Sequence, residues 1–546
     1  MQGGGVGGGL PSRYRASVVP APADADVGAF SDAPPWLVDP GALTWRRGLA
    51  GVRARTAASV PRLATPPRVP PVGRFVAVIA GVGGALAGWY LGERGTEQSR
   101  AGLSRRLRQA FERLGSTYIK LGQIVSGGEG LFPEELVAEF KLLRDRVPAE
   151  PFDDVRVVVE AELGRALPEV FATFDEVPLA AASIAQVHAA TLRTGESVVV
   201  KVQRPGIERR VRADLGSMAW LAPRLVGRIP VAALANPPAL VELFAETIVE
   251  ELDFRLEAEN MLDIGAVLAR VGIRNTIVPR PHPTLVTRRV LVMERLHGYA
   301  FDDVEGMQAA GIDTSALLRS GLISFLEGAL LHGVFHGDLH GGNLFVFPDG
   351  RTALLDFGIT GRLDERKRLA FLRLLVLGTA GDVRGQLRAL RDLGAFPPDT
   401  DLEAVIADLG LDGPVKDPTT MSADDLVAEL REVTTKLLGY GARAPKELML
   451  FVKNMMFLDG ATASLAPDLD ILGEVAHIYA YFQETYGEQI AADLGLDPGA
   501  RVELDLEAVK AGMGLGEDWG DSLTYADVRA RREVIRRRMD EHRRKR

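Results

Sequence analysis

The stretch VFHGDLHGGNLFVFPDGRTALLDFG, residues 334–358, decides the fold of this chain. It places Asp338, Asn343 and Asp356 between short apolar runs that are typical of strands. Two carboxylates and one amide provide the oxygen ligands that Mg²⁺ prefers, often together with the phosphates of a nucleotide. The stretch therefore predicts a magnesium site next to a nucleotide.

The spacing of these three residues matches the catalytic and magnesium-binding loops of protein kinases. In those loops one aspartate orients or deprotonates the acceptor, while an asparagine and a second aspartate bind the metal. We assign Asp338 to the catalytic position, and Asn343 and Asp356 to the metal. A helix is predicted over residues 315–332, before the loop, and His336 is expected to support the loop through a backbone hydrogen bond.

Composition excludes several classes of chemistry. The chain of 546 residues has no cysteine, which excludes disulfides, thiolate catalysis and Cys-ligated metal sites. Its formal charge of −9 argues against broad nucleic-acid binding, so no nucleic-acid partner is expected. The ends are locally basic: seven arginines and no acidic residue lie within residues 46–74, and the tail VRARREVIRRRMDEHRRKR is rich in arginine. The simplest interpretation of both ends is a solvated basic surface.

Composition and periodicity divide the chain into six segments. Residues 1–73 are rich in Gly, Pro, Ala and Arg without periodicity, so we expect disorder there. The remaining segments are an apolar helix (74–95), a helical extension (96–150), a strand-rich lobe (151–296), a largely helical lobe (297–490) and a C-terminal region with the basic tail (491–546). This order predicts an α+β fold of two lobes with a cleft between them.

The apolar segment FVAVIAGVGGALAGWYL, residues 75–91, suits either of two places. As a helix of about 17 residues it would extend about 26 Å, a little less than the ~30 Å hydrocarbon core of a bilayer. Its glycines weaken a soluble helix but allow another helix to approach closely. We interpret it as a helix at or in a membrane, with a buried core helix as the alternative.

The helical extension carries the motif KLGQ at residues 120–123. Apolar residues recur at three- and four-residue steps from Ser104 to Val125, which predicts one amphipathic helix there. Lys120 and Gln123 share one face of it, since residues three apart are neighbours on a helix.

Three patterns in the strand-rich lobe predict how a nucleotide would be bound. Lys201 ends the strand-like run SVVVK, and the backbone of VMERL, with Met293 and Glu294, is a natural adenine-binding hinge. Small residues between two strand-like runs, among them Ala181, Ala182 and Ser183, occupy the place of a phosphate-covering loop. Because this loop carries alanines where phosphate loops carry glycines, its backbone should be stiffer.

An acidic pattern, ELDFRLEAENM, supplies a partner for Lys201. Glu251, Asp253, Glu257 and Glu259 are predicted to lie on one helix within residues 240–271. Glu257 is available to pair with Lys201 and to hold the lysine toward the α- and β-phosphates.

Taken together, these motifs resemble those of the UbiB/AarF/ADCK family of atypical kinase-like proteins over residues 103–472. The resemblance rests on LGSTYIKLGQIVS, AAASIAQVH, VVVKVQRPGI, the ELDFRLE run, HGDLHGGN and DFG. It implies a kinase-like fold in which the KxGQ helix, with Lys120 and Gln123, folds over the cleft and Lys120 lies near Glu251 and Asp253. That arrangement would obstruct the docking of a peptide substrate.

The resemblance also implies a function. The family is tied to isoprenoid quinone biosynthesis and lipid homeostasis at membranes, and it resembles ATPases more than protein kinases. It implies ATP or ADP with Mg²⁺ as cofactors, and a prenyl-quinone or lipid intermediate as partner. UbiB-type members often carry C-terminal membrane helices, whereas here the candidate segment is N-terminal. We therefore expect a cytoplasmic protein that is peripheral to the membrane or anchored through residues 75–91, with its basic tail near anionic lipid. A homodimer is left open.

Two other functions remain as alternatives at this point. One is a small-molecule phosphotransferase of the aminoglycoside or choline kinase type, which also carries an HGDLHxGN motif. The KLGQ helix and the Ala-rich loop disfavour it. The other is a nucleotide-gated scaffold that transfers no phosphate.

Overall fold

A computed structural model describes most of the chain. The described residues are 40–69, 72–93, 99–126, 134–143, 147–225, 237–270, 275–411, 432–433, 436–437, 439–443, 445–497, 504–512 and 523–544. They form a strand-rich lobe and a largely helical lobe, which confirms the predicted α+β kinase-like fold.

The strand-rich lobe contains a six-stranded antiparallel sheet in the order β1-β3-β4-β7-β6, with β2 paired to β3. Its strands are β1 (Phe171–Phe174), β2 (Ala180–Ala181), β3 (Ala185–Leu192), β4 (Ser197–Gln203), β6 (Pro281–Val286) and β7 (Val290–Glu294). Alternation places Val198, Val200 and Val202 of β4 on one face, where they pack with valines of a helix over Phe152–Leu163. Lys201 therefore lies on the opposite face, toward the cleft.

The helical lobe is built around the catalytic stretch. A four-stranded sheet in the order β5-β11-β10-β8 and a two-stranded sheet, β12-β9, lie within it. These strands are β5 (Thr276–Ile277), β8 (Tyr299–Ala300), β9 (Val334–His336), β10 (Leu344–Val346), β11 (Thr352–Leu354) and β12 (Thr360–Arg362). Behind them four phenylalanines from separate elements, Phe325, Phe335, Phe371 and Phe451, stack in one cluster. Phe335 precedes His336, so this core anchors the start of the catalytic loop.

The helices are numbered here in chain order. Before the first sheet they are α1 (Leu49–Ala64), α2 (Val72–Val78), α3 (Gly84–Gly92), α4 (Ser99–Leu114), α5 (Ser116–Ser126), α6 (Glu134–Lys141), α7 (Phe152–Leu163) and α8 (Leu167–Val170). Between β4 and β5 in the chain they are α9 (Ile207–Leu225), α10 (Pro237–Glu250) and α11 (Phe254–Arg270). In the helical lobe and beyond they are α12 (Val304–Ala309), α13 (Thr314–Leu331), α14 (Glu365–Thr379), α15 (Val383–Asp392), α16 (Leu402–Leu409), α17 (Lys446–Leu465), α18 (Ile471–Leu494), α19 (Leu506–Gly512) and α20 (Tyr525–Arg544).

The expectation of disorder over residues 1–73 is wrong for residues 40–69. Trp45 and Leu49 are buried, and α1 packs against α9 and α10. The polar face of α1 offers arginines to acidic residues of the lobe, which explains why the segment shows no ordinary amphipathic period. Residues 1–39 lie outside the described part of the chain.

The apolar segment is helical but lies on the surface. Helix α2, a π-helical turn (Ile79–Gly83) and α3 run on continuously through Gly92. Gly81 and Gly88 lie against Leu114 and Arg106 of α4, so the glycine face permits the close approach that was expected. The outer face exposes Val76, Tyr90 and other large apolar side chains. A buried core helix, the alternative interpretation, is not what the structure contains.

Two predicted helices are each broken into two. Gly115, with a φ of +91°, ends α4 and separates it from α5, a conformation that a residue with a side chain rarely adopts. Residues 251–253 separate α10 from α11. Glu251 and Asp253 therefore lie in a turn, and Glu257 and Glu259 alone lie on α11.

Candidate nucleotide and magnesium site

The pair of Lys201 and Glu257 forms as predicted. The Nζ of Lys201 on β4 lies 2.6 Å from Oε1 of Glu257 on α11 and 3.4 Å from Oδ2 of Asp356. The Lys201 and Glu257 side chains are 9% and 3% exposed, whereas that of Asp356 is 41% exposed. The buried pair thus holds the lysine in place, and the aspartate beside it faces the open cleft.

Electrostatics keep the two cleft ions charged. Burial lowers the pKa of Lys201, but Asp356 and Glu257 outweigh this effect and raise the pKa above its ordinary value. Burial opposes ionisation of Asp356 as well, yet Lys201 and Lys120 hold its pKa at about 2. Burial raises the pKa of Glu257 to about 7 against the opposing effect of Lys201. The site therefore presents the Lys201 ammonium beside the Asp356 carboxylate near neutral pH.

Local strand pairing brings the catalytic and metal residues together. The β10–β11 hairpin reverses the chain, and the N–H of Leu355 donates to the carbonyl of Asn343 at 3.0 Å. Strand β9 pairs with β12, so His336 lies opposite Thr360. Asn343 lies directly before this hairpin and Asp356 lies two residues after it, which explains why they are thirteen positions apart in the sequence.

His336 is a structural residue, as expected. Its Nδ1 accepts from the N–H of Asp338 at 3.2 Å, and its Nε2 donates to the carbonyl of Asp356. Burial lowers the pKa of His336, so the ring stays neutral with its proton on Nε2. This one side chain links the loop of Asp338 to the loop of Asp356.

The residues at the predicted metal position fit Mg²⁺. Nδ2 of Asn343 donates to the carbonyl of Asp338 at 3.0 Å, which leaves its Oδ1 as the atom for a cation. Oδ1 of Asp356 accepts from the N–H of Gly358 at 2.9 Å, so that carboxylate is fixed from its own loop. An amide and a carboxylate are a hard-oxygen donor set, and Mg²⁺ usually adds waters and phosphates to one or two such ligands. Within the described residues no group of three or more His, Asp or Glu side chains could hold a metal, so waters and phosphate oxygens would have to complete the shell.

Two functional candidates on α17 were missed from the sequence. Lys453 forms an ion pair with Asp338, and the fully buried Asn454 donates to the carbonyl of His336. Oδ1 of Asn454 also accepts from the N–H of Leu339 at 3.0 Å. Burial opposes ionisation of Asp338, but Lys453 and Lys120 lower its pKa far below the ordinary value. No sequence signal marks them, since they lie in an apolar helix more than one hundred residues from the loop.

The KLGQ helix closes one side of the cleft. Nζ of Lys120 on α5 lies 2.8 Å from Oε1 of Glu251, and their side chains are 12% and 6% exposed. Burial lowers the pKa of Lys120, but Glu251, Asp338 and Asp356 raise it above the ordinary value. Lys120 thus places its charge among the cleft carboxylates. Gln123 is half-buried on the same helix, one turn further on.

Asp253 does not take part in that contact. Its carboxylate accepts from the side chain of Arg255 at 2.6 and 2.9 Å, and from the N–H of Arg255 at 3.2 Å. The turn between α10 and α11 thus brings Glu251 to Lys120, whereas the Asp253 carboxylate is bound by Arg255. The resemblance had implied that both acidic residues lie near Lys120, and this holds for Glu251 alone.

The Ala-rich loop is pinned at several points. Ala181 pairs with Gln186 of β3, and the N–H of Ala182 donates to the carbonyl of Ala185 at 2.9 Å. The guanidinium of Arg204 donates to the carbonyl of Ala182 at 3.0 Å. Ser183 is buried at 3% exposure. These contacts support the prediction of a stiff loop.

The predicted hinge lies at the end of β7. Met293 is buried and pairs with Val199 and Pro281. The N–H of Glu294 donates to the carbonyl of Arg280 at 3.0 Å, and its carboxylate accepts from the N–H of Arg280 at 2.8 Å. The Glu294 side chain and N–H are therefore engaged within the lobe.

Comparisons with known proteins agree with this geometry. Residues 142–389 match the ABC1 atypical kinase-like domain. An uncharacterized protein of Mycobacterium tuberculosis is 38% identical over 386 residues, covering 67% of this chain and 76% of that protein. An uncharacterized chloroplastic aarF domain-containing protein kinase of Arabidopsis thaliana is 34% identical, covering 67% and 72%. A probable protein kinase UbiB of Marinobacter nauticus is 33% identical, covering 71% and 70%.

A comparison with solved structures gives a weaker likeness. A Mycobacterium tuberculosis protein solved in complex with erythromycin matches with a TM-score of 0.36 and 21% identity, covering 63% of this chain and 91% of that one.

Proposed function

Since the chain belongs to the ABC1 atypical kinase-like family of UbiB and AarF-domain proteins, we propose that it is a magnesium-dependent ATP-binding ATPase or small-molecule kinase. We further propose that it supports isoprenoid quinone synthesis or membrane lipid homeostasis, as the resemblance implies. Asn343 and Asp356 would hold the magnesium ion, which would neutralise phosphate charge. Lys201, held by Glu257, would contact the α- and β-phosphates, and Asp338 would position a water or an acceptor hydroxyl.

The observation that carries the proposal is the convergence of Lys201, Glu257 and Asp356. These residues come from a strand, a helix and a loop, and the Lys201 ammonium lies within 3.4 Å of both carboxylates. A buried charge cluster is costly unless it is paired, and such clusters concentrate at functional sites. Phosphoryl transfer needs this kind of positioned charge more than it needs covalent chemistry.

The acceptor is proposed to be water or a small molecule. Helix α5 reaches the cleft through the Lys120–Glu251 pair, on the side where the resemblance implies that a peptide would dock. Lys120 also lies close enough to Asp338 and Asp356 to affect the pKa of both carboxylates. A long peptide would have to displace a buried ion pair, whereas water or a small hydroxyl compound would not.

We also propose that the apolar helix formed by residues 73–92 binds a membrane surface. Among the described residues two helices, Gly73–Gly92 and Thr314–Leu331, are long and apolar enough to cross a membrane. The second is α13 of the helical lobe, half of which is buried, whereas the first is 11% buried. Its exposed side chains include Val76 at 61%, Tyr90 at 58% and Leu91 at 85%. A surface helix of this kind gains stability by burying its apolar face at the lipid interface.

The first experiment is a thermal shift of the full chain with Mg²⁺-ATP, Mg²⁺-ADP and either nucleotide with a chelator. A ligand at one hundred times its Kd stabilises the folded state by about 2.7 kcal/mol, which is readily measured. We expect a magnesium-dependent shift in wild type that is lost in Asp356→Asn. The matched control is Asp349→Asn, which alters an exposed aspartate in the hairpin turn. No shift in wild type, or an equal shift in Asp356→Asn, would overturn the proposed site.

Turnover separates the enzyme from the scaffold. Phosphate release would be measured with and without anionic vesicles and simple phenols that resemble quinone precursors. Magnesium-dependent release that Asp338→Asn abolishes supports the enzyme. Nucleotide binding without phosphate release or transfer under any of these conditions would instead support the nucleotide-gated scaffold.

A further inference from the structure

We propose that residues 40–64, called here the strap, position the catalytic machinery through Arg53 and Asn260. This rests on the proposed function, because the elements that the strap contacts carry Glu257 and the Asp356-Phe357-Gly358 loop. Arg53 and Asn260 are positioning residues: they act on the site through α11 and Phe357, and they do not touch the reacting atoms.

The strap is anchored as part of the folded protein. Trp45, Leu49 and Val60 are 7%, 1% and 4% exposed, and all three belong to the main hydrophobic core. Nε1 of Trp45 donates to the carbonyl of His282 on β6 at 3.3 Å. Burial of large apolar side chains stabilises the docked position, so the strap should stay docked.

The strap then directs its positive charges at α11. Nη2 of Arg46 lies 3.2 Å from Oδ1 of Asp263, and Nη2 of Arg53 lies 2.9 Å from Oε2 of Glu259. Arg53 also reaches Glu250, at the end of α10, at 4.0 Å. These side chains are all one third exposed or less, so solvent screens the pairs only in part. These ion pairs hold the strap against α11, the helix that carries Glu257.

Asn260 connects the docked strap to the loop formed by Asp356, Phe357 and Gly358. Its Oδ1 accepts from Nη2 of Arg53 at 3.1 Å and from Nη2 of Arg362 at 2.6 Å. Its Nδ2 donates to the carbonyl of Phe357, the residue after Asp356, at 2.8 Å. Asn260 is 4% exposed and lies three residues after Glu257, on the same side of α11. One buried amide therefore links the strap, the helix of Glu257 and the loop of Asp356.

Loss of Arg53 should loosen these parts without unfolding the protein. Glu259 and Glu250 would each lose the positive charge of Arg53. The amide of Asn260 would keep its hydrogen bonds to Arg362 and Phe357 but lose the one to Arg53. Glu257 lies one helical turn before Asn260, and Asp356 directly precedes Phe357. A small shift of α11 or of the loop would therefore separate Lys201 from its two carboxylate partners. Positioned charges of this kind lose effect when they are displaced by about 1 Å.

The experiment compares Arg53→Met with Arg55→Met in the full chain. Arg55 lies on the same helix with its side chain exposed, so its variant removes one charge from α1 without touching the network. The first readout is amide hydrogen exchange without nucleotide, which reports local opening. We expect Arg53→Met to speed exchange in residues 254–263 and 356–362 by about three- to tenfold, with residues 185–203 unchanged. Arg55→Met should match wild type.

The second readout is the Kd for Mg²⁺-ATP and the rate of phosphate release for Arg53→Met, Asn260→Ala and the double variant. Since part of the effect of Arg53 passes through Asn260, the double variant should lose less than the sum of the two single variants. Additive losses, or exchange in Arg53→Met that equals that of Arg55→Met, would overturn the proposal. Faster exchange throughout the strand-rich lobe would also overturn it, because it would show a general loss of stability.

Failure of the proposed function would look different. If wild type neither binds nucleotide nor releases phosphate, the proposed function fails. The exchange pattern of the nucleotide-free protein still decides whether the strap positions α11 and the loop.

Discussion

Lys453 and Asp338 form an ion pair in the cleft across 115 positions of the chain. The lysine comes from α17, whose next residue, Asn454, hydrogen-bonds to both sides of the loop that carries Asp338. The helical lobe therefore supplies a cation directly at the predicted catalytic carboxylate. That cation lowers the pKa of the Asp338 carboxyl and so favours its ionised form.

Replacing Lys453 by Met should lower phosphate release more than it lowers nucleotide affinity. The loop would stay in place through Asn454, while Asp338 would lose the cation that fixes its charge. A positioned acid or base contributes about 10²–10⁴-fold to a rate, so we expect a loss of about tenfold or more for its neighbour. Steady-state phosphate release gives the rate, and thermal shift gives the affinity. Lys367→Met is the control, since that lysine pairs with Glu447. A rate equal to that of the control would contradict the prediction.

Replacing Lys201 by Met should destabilise the strand-rich lobe even without nucleotide. Glu257 would be left buried at 3% exposure without its partner. Breaking one side of a buried pair costs about 3–5 kcal/mol, whereas an apolar replacement of both partners is often neutral. Urea unfolding of Lys201→Met and of Lys201→Met/Glu257→Leu tests this. The double variant should recover much of the loss, and a double variant as unstable as the single one would exclude the explanation.

Glu327 should make stability depend on pH. It is fully buried on α13, and its Oε1 accepts from the hydroxyls of Tyr481 at 2.6 Å and Tyr486 at 2.8 Å. Burial raises the pKa of Glu327 above the ordinary 4.5, against the two hydrogen bonds, which lower it. The folded state then holds a proton that the unfolded state has released, so stability falls as the pH rises from 4.5 through the folded pKa.

The measurement is the Tm of wild type and Glu327→Gln from pH 4.5 to pH 8. Glutamine keeps an oxygen for the tyrosines and cannot ionise. We expect the variant to gain on wild type as the pH rises, while the two curves run closest near pH 4.5. A constant difference between the two curves would show that Glu327 does not titrate in this range.

Replacing Ala182 by Gly should change the ratio of ATP to ADP affinity. The loop is held by the Ala182–Ala185 hydrogen bond and by Arg204, and glycine would make its backbone more adaptable. A stiff loop adapts less well to a γ-phosphate, so we expect the substitution to favour ATP by about threefold or more. Thermal shifts with each nucleotide give the ratio. Ala172→Gly, at an exposed position on β1, is the control, and an unchanged ratio in Ala182→Gly would refute the idea.

Replacing Leu91 by Asp should weaken binding to anionic vesicles. Leu91 is 85% exposed at the end of the apolar helix, so the change removes apolar surface without disturbing the core. Burial of a leucine is worth about 1.5–3 kcal/mol, which corresponds to about tenfold or more in vesicle affinity. Co-sedimentation measures it, with Val157→Asp as the control at an exposed apolar position of α7. Equal binding of the two variants would argue against a membrane role for this helix.

The metal and catalytic positions could be predicted from the sequence because the structure there is local. A hairpin brings Asn343 and Asp356 together, and the pairing of β9 with β12 fixes His336, so residues 334–362 contain nearly the whole geometry. The Lys201–Glu257 pair was also predictable, since a lone lysine on an apolar strand and an acidic helix have few other partners.

Other features depend on packing between distant elements. The choice of Glu251 over Asp253 as the partner of Lys120 depends on a turn that breaks the predicted helix. The expectation of disorder fails for the strap because its arginines pair with acidic residues more than 200 positions away. Local periodicity does not reveal such partners.

The fold class, the division into two lobes and the loop residues Asp338, Asn343 and Asp356 could thus be predicted from the sequence. These follow from periodicity and from short motifs whose geometry is set by neighbouring residues. Only the tertiary structure decided that Lys453 reaches Asp338 and that Asn260 joins the strap to the magnesium loop. Such contacts depend on which side chains face one another where distant elements pack together. No local sequence pattern encodes that arrangement.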